Sequence, residues 1–176
     1  MPVSDLLHPA GHTRTTGDPR RYFLDTSALA KLYMKEPGSQ RLARWVGDRT
    51  RGFLPTVRLY VSRMVLPEAV SAITRGRGEQ KVESKGAVAL WSSVLSDFTG
   101  DALPYEIIEP TEEIVLRAAL LVAAHRLRAY DAVHLALALW LQARLGDPAS
   151  LVFVCSDGEL SKAAKAAGLA AADPAT

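Results

Sequence analysis

Short apolar runs that end in an acid are the feature of this sequence that most restricts its fold. The run Tyr22–Leu24 is followed by Asp25, and the run Leu151–Cys155 is closely followed by Asp157. Each run has the length and composition of a buried strand, and a helical pattern follows it. The carboxyl ends of parallel strands meet at one edge of an open α/β sheet, where ligands bind. We therefore expect Asp25 and Asp157 to lie at a ligand-binding edge.

Strands and helices alternate along the rest of the chain. Further strands are predicted near 59–62 and 104–109, with a weak edge strand after Gly168. Helices are predicted at 28–35, from 39, at 64–74, 81–98, from 110, at 130–145 and after Asp157, and Gly76 and Gly78 are expected to end the third of them. This alternation predicts an α/β fold, a three-layer sandwich with a mainly parallel central sheet.

Length and composition are those of one ordinary globular domain. The chain has 176 residues, of which 48% are apolar and 23% charged, so a largely disordered or fibrous protein is excluded. Prolines and glycines without an apolar period predict a flexible leader at 1–19. We expect a single domain over 20–172 and a disordered tail at 173–176.

The compartment is predicted from what the sequence lacks. Cys155 is the only cysteine, so no internal disulfide can form, and a reducing compartment is favoured. The longest apolar run is shorter than the roughly 20 residues that span a bilayer. No signal-peptide pattern is present, and we expect a cytoplasmic protein.

Two more acids are expected at the same edge of the sheet. Glu68 and Asp131 stand at the starts of helices that follow strands, so they can converge with Asp25 and Asp157. Clustered carboxylates repel one another, and a divalent cation relieves that repulsion. Oxygen ligands without a neighbouring Cys or His candidate favour Mg²⁺ or Mn²⁺, as in two-metal phosphodiester hydrolysis. The alternative is that each acid only caps a helix or complements its dipole.

Four motifs in this order resemble the PIN domains of VapC-type toxins. They are Leu24–Lys31 (LDTSALAK), Leu66–Ala72 (LPEAVSA), Tyr130–Ala136 (YDAVHLA) and Val154–Leu160 (VCSDGEL). The resemblance covers about 21–169, nearly the whole chain. It departs from the family in its longer leader and in Cys155-Ser156, where a threonine is common.

The resemblance implies a Mg²⁺- or Mn²⁺-dependent endoribonuclease that a VapB-like antitoxin holds inactive. Its acidic site would be Asp25, Glu68, Asp131 and Asp157, with Ser27 and Thr26 orienting the carboxylates. A stand-alone PIN nuclease and a noncatalytic RNA-binding or protein-binding module are the alternatives. An aspartyl-phosphate phosphatase is disfavoured because position 27 is serine.

Further expectations concern partners. A net charge of +2 and a pI of about 8.8 permit RNA binding, and Lys31 and Arg63 are predicted phosphate contacts. We expect a homodimer. The helical hairpin at 28–49 is expected to expose an apolar surface to the antitoxin through Leu29, Leu32, Tyr33 and Trp45, unless the helix at 64–74 closes it. The alternative is that these residues pack on the sheet. His134 is expected mainly to pack in the core, although it lies three residues after Asp131 on one helix face.

Overall fold

The computed structural model describes residues 20–48, 52–78, 84–100, 105–147 and 150–176, so the predicted leader lies outside the described residues. The strands are β1 (Arg20–Leu24), β2 (Gly47–Asp48), β3 (Gly52–Phe53), β4 (Val57–Ser62), β5 (Glu106–Ile108), β6 (Leu151–Val154) and β7 (Ala170–Ala172). The helices are α1 (Thr26–Tyr33), α2 (Ser39–Val46), α3 (Val65–Gly78), α4 (Ser84–Thr99), α5 (Glu112–His125), α6 (Ala129–Leu145) and α7 (Gly158–Ala166).

Five parallel strands form the central sheet in the order β5-β4-β1-β6-β7. In the middle of it, Phe23 of β1 lies opposite Tyr60 of β4 on one side and Phe153 of β6 on the other. The chain runs from β1 outward through β4 to β5, then returns to β6 on the other side of β1. The strand order therefore reverses beside the carboxyl end of β1, which is where ligands bind in such sheets. The predicted fold is confirmed.

Alternation along β1 creates a core on each face of the sheet. Phe23 points to one face, where its ring stacks on Phe153 with centroids 5.8 Å apart and where α5, α6 and α7 pack. Tyr22 and Leu24 point to the other face, against α1, α2 and α4. Because successive side chains of a strand point to opposite faces, both faces of the sheet are apolar and each is covered by a layer of helices. Burying each large apolar side chain here stabilises the fold by about 1.5–3 kcal/mol.

The helical hairpin α1–α2 does not expose the apolar surface that the sequence predicts. Leu29 is 1% exposed and Trp45 is 8% exposed, both within the core on that face of the sheet. Leu32 and Tyr33 pack against the same core, and the Tyr33 hydroxyl donates to Asp97 Oδ2 at 2.7 Å. The prediction was wrong because α3 and α4 cover these side chains together with the sheet.

Three local predictions also need correction. Helix α3 continues to Gly78 rather than ending before Gly76. The antiparallel pair β2–β3 was not predicted, since each strand has only two residues. The last four residues are not a disordered tail: Asp173 Oδ1 accepts from Ser156 Oγ at 2.7 Å and from Ala175 N at 2.9 Å.

The same chain segment packs against the loop before α2. Pro174 is buried, and a Cβ added to Gly38 would lie 2.7 Å from the Pro174 carbonyl. Gly38 also has a φ of 91°, a conformation that only glycine adopts without strain. The residues that follow β7 are therefore part of the packed structure. Among the described helices, none is long and apolar enough to cross a membrane.

Candidate active site

Asp25 caps helix α1 from a buried position at the end of β1. Its Oδ1 accepts from the Ala28 amide at 2.7 Å, and the Ser27 hydroxyl lies 2.8 Å from Oδ1 and 3.0 Å from Oδ2. The residue is 4% exposed. Burial raises the pKa of Asp25 to about 6, and the Ala28 amide, the His134 ring and Ser27 offset only part of that rise. A capping hydrogen bond and a destabilised charge therefore coexist on this side chain.

Ser27 links the ends of two neighbouring strands. Its hydroxyl donates to the Asp25 carboxylate and accepts from the Ser156 amide at 2.8 Å, just beyond β6. The backbone reinforces this link, because the Asp25 amide donates to the Val154 carbonyl at 3.1 Å. The orientation of the Asp25 carboxylate is thus set by both β1 and β6.

Glu68 lies in the first turn of α3 and is half-buried. Its Oε2 accepts a short hydrogen bond from the Thr26 hydroxyl and lies 2.7 Å from His134 Nε2. The sequence predicted Thr26 and Glu68 as site residues, but it treated His134 mainly as core. The signal for His134 was its position one turn after Asp131 on the same helix.

Asp131 lies in the first turn of α6 with a half-buried carboxyl group. Burial raises its pKa, and repulsion from Asp157 and Glu68 raises it further, while His134 and Arg128 lower it. The Asp131 carboxylate accepts no hydrogen bond from the part of the chain that the structure describes. Asp157 and Glu68 are therefore close enough to destabilise the charge of Asp131.

Asp157 caps α7 as Asp25 caps α1. Its Oδ1 accepts from the amides of Glu159 at 2.8 Å and Leu160 at 2.9 Å. One residue before it, Ser156 donates its hydroxyl to Asp173, an acid at the end of β7 that the sequence analysis had assigned to the tail. Asp173 follows a strand end as Asp25 does, and that repetition was the signal available for it.

The two basic residues predicted to contact RNA each form an ion pair with a glutamate. Lys31 is 8% exposed, and its ammonium lies 3.4 Å from Glu36 Oε2. That prediction is wrong, since a buried lysine cannot meet a phosphate backbone. Arg63 is partly exposed and donates to Glu109 Oε1 at 2.7 Å, so its predicted contact with phosphate would compete with this ion pair.

The acids at this edge of the sheet have the type of ligand atom that a hard divalent cation prefers, but they do not form a ready-made metal site. They are carboxylate oxygens, which such cations prefer. Burial raises the pKa of Asp25, and burial together with repulsion from Asp157 and Glu68 raises the pKa of Asp131, so a bound cation would stabilise both ionised groups. The described residues contain no group of three or more His, Cys, Asp or Glu side chains already arranged to hold a metal ion. The fit of these residues to a cation therefore rests on the chemistry of their oxygen donors.

Comparison with known proteins decides the family. The family model described as PIN domain matches residues 22–166. The chain belongs to the PIN domain family. The resemblance that the four motifs indicated is confirmed at this level.

Relatives and solved structures agree with that membership. Ribonuclease VapC45 and Ribonuclease VapC49, from two strains of Mycobacterium tuberculosis, are each 36% identical over 149 residues, covering 83% of this chain and 90% of the relative. The crystal structure of PAE2754 from Pyrobaculum aerophilum matches with a TM-score of 0.55 at 20% identity, covering 88% of this chain and 90% of that one. DNA-bound VapBC from Salmonella typhimurium matches with a TM-score of 0.53 at 15% identity, covering 88% and 98%.

Proposed function

We propose that this PIN domain is a divalent-metal-dependent endoribonuclease toxin, inactive when bound by its antitoxin. The observation that carries the proposal is a buried, destabilised Asp25 at the sheet edge where Glu68, Asp131 and Asp157 also begin or cap helices. The ribonuclease names of the two relatives that are 36% identical support the same activity. Because both RNA and such an antitoxin occur in the cytoplasm, we propose that the protein acts there.

In this proposal, Asp25, Asp131 and Asp157 would hold Mg²⁺ or Mn²⁺, and Glu68 would hold a second ion or align the water. The metal would supply a more acidic water and stabilise the leaving oxygen of the phosphodiester. Ser27 would keep the Asp25 carboxylate in one orientation, since its hydroxyl is held in turn by the Ser156 amide. Burial would keep bulk water from competing for the Asp25 oxygens.

Incubation of the purified protein with total RNA tests this function. We expect defined fragments with Mg²⁺ or Mn²⁺, none after EDTA treatment, and none from the Asp25→Asn protein. Cleavage that continues in EDTA would contradict the metal requirement. RNA binding without cleavage under every metal condition would instead support a noncatalytic module.

The antitoxin is proposed because both curated relatives are VapC proteins and a structural neighbour is a VapBC complex. Co-expression with the product of the adjacent small reading frame, followed by co-purification, tests it. We expect a stable complex whose formation suppresses RNA cleavage. If cleavage is unchanged in the presence of that product, the chain is a stand-alone PIN nuclease.

We also propose that a second copy of this chain covers the outer face of α5. That face exposes Leu116 by 62% and Leu120 by 72%. Its amino end carries the exposed acids Glu112 and Glu113, and the exposed Arg126 follows its carboxyl end. Two antiparallel copies would place each acidic end against the partner's basic end and pair the leucines between them, as a twofold interface requires.

A further inference from the structure

His134 is the buried polar residue that a purely acidic site leaves unexplained. Its side chain is 1% exposed within α6, and its Nε2 lies 2.7 Å from Glu68 Oε2. Its Nδ1 is buried and has no hydrogen-bond partner among the described residues. An apolar residue could fill this volume without leaving a nitrogen unpaired, so the imidazole is retained at a cost that packing alone does not explain.

The geometry fixes which nitrogen donates. Glu68 Oε2 is a carboxylate oxygen and accepts, so Nε2 is the donor of this contact. The Thr26 hydroxyl donates to the same Oε2 and lies 3.3 Å from Nε2. One carboxylate oxygen of Glu68 therefore receives two donors, one from α1 and one from α6.

These two donors act against a force that would otherwise move Glu68. The side chain is 22% exposed, has several rotatable bonds and is repelled by Asp131, whose pKa Glu68 helps to raise. The Thr26 hydroxyl and His134 Nε2 oppose that repulsion, because both contact Glu68 Oε2. Two hydrogen bonds to Oε2 hold it at the sheet edge.

We propose that His134 and Thr26 are positioning residues that hold Glu68 in place for binding the divalent cation. This inference rests on the proposed function, because it assumes that Glu68 is a ligand or aligns the water at a metal site. Hydrogen-bond partners behind metal-ligating side chains typically change metal affinity by about 10–100-fold. The same size of effect is expected here.

Three substitutions at His134 separate the Nε2 donor from packing. His134→Gln places an amide N–H about as far from the backbone as Nε2, His134→Asn places one near Nδ1, and His134→Leu fills the volume with no donor. We measure Mn²⁺ affinity by titration calorimetry, kcat and KM for RNA cleavage, and metal-free melting. His125→Gln, on α5, is the matched control.

The expected order of Mn²⁺ affinity is wild type, then His134→Gln, then His134→Asn and His134→Leu together, the last two lower by about 10–100-fold. The loss should appear in kcat more than in the KM for RNA, and His125→Gln should change none of these. Thr26→Ser should retain affinity, whereas Thr26→Val should lower it. Glutamine rescue is the result that a packing role would not produce.

A double-mutant cycle with Glu68→Gln tests whether His134 acts through Glu68. We expect His134→Leu to have no further effect on Mn²⁺ affinity once Glu68 is replaced. If His134→Leu binds Mn²⁺ as wild type does, or if glutamine and leucine weaken binding equally with a matching loss of melting temperature, the positioning role is wrong. If Glu68→Gln itself leaves Mn²⁺ binding and RNA cleavage unchanged, the proposed site, rather than the positioning role alone, fails.

Discussion

Replacing Asp25 with asparagine separates the electrostatic cost of this carboxylate from its hydrogen bonds. The amide oxygen of asparagine can still accept from the Ala28 amide and the Ser27 hydroxyl. The charge, however, is removed from a position that is 4% exposed and where burial raises the pKa of Asp25 from 3.8 to about 6. A tenfold change in proton affinity is worth about 1.4 kcal/mol, so the ionised group costs the folded state about 3 kcal/mol.

The expected sign follows from the direction of that pKa. A carboxyl group whose folded-state pKa is raised contributes its full stability only below its unfolded value, and this contribution is lost as the pH rises through about 6. Metal-free Asp25→Asn should therefore match the wild type near pH 4. Its advantage should grow between pH 4 and about 6, and at neutral pH it should approach about 3 kcal/mol, less the cost of any unpaired amide hydrogen.

Urea unfolding in EDTA at several pH values measures this difference directly. Asp25→Ala is the matched variant, because it removes the charge together with the cap, and losing an N-cap costs about 1 kcal/mol. We expect its stability at neutral pH to lie between those of the wild type and Asp25→Asn. If Asp25→Asn unfolds at lower urea than the wild type, or if the difference does not vary with pH, the carboxylate is a structural cap and the electrostatic reasoning is refuted.

Three further outcomes follow from the same structure. Asp157→Ala should cost about 1 kcal/mol in urea unfolding and Asp157→Asn less than about 0.5 kcal/mol, because asparagine caps helices equally well; both should lose RNA cleavage, and cleavage retained by either would exclude Asp157 from the site. Gly38→Ala should destabilise by about 1–3 kcal/mol through its positive φ and its clash with Pro174, and unchanged melting would contradict the packing of that segment. Leu120→Glu should give a monomer by light scattering, whereas Val88→Glu, at an apolar position on α4 that is 60% exposed, should not; a monomeric wild type would contradict the proposed dimer.

The central sheet could be predicted because its strands can be recognised from short segments of the sequence. Each of the runs Tyr22–Leu24 and Leu151–Cys155 is apolar throughout, as strands covered on both faces are, and each is followed by a helix start. The same local pattern predicted where Asp25 and Asp157 would lie. Neither inference needed knowledge of contacts between distant parts of the chain.

The remaining features depend on such distant contacts. The hydrogen bond from Thr26 to Glu68 joins residues 42 positions apart, and the contact of Thr26 with His134 joins residues 108 apart. The burial of Lys31 and the packing of Pro174 likewise depend on how separate segments meet. A sequence pattern predicts that a residue faces inward, but it does not specify which neighbour that residue meets.

Asp25 caps helix α1, but capping alone does not explain why an acid stands at this position. The Ala28 amide and Ser27 both lower the pKa of this carboxyl, as a good cap should, yet burial raises it by more. Serine or asparagine would cap the same helix without placing a charge there. A cap alone therefore does not account for an acid at this position. A bound cation would account for it, because its positive charge would stabilise the buried carboxylate.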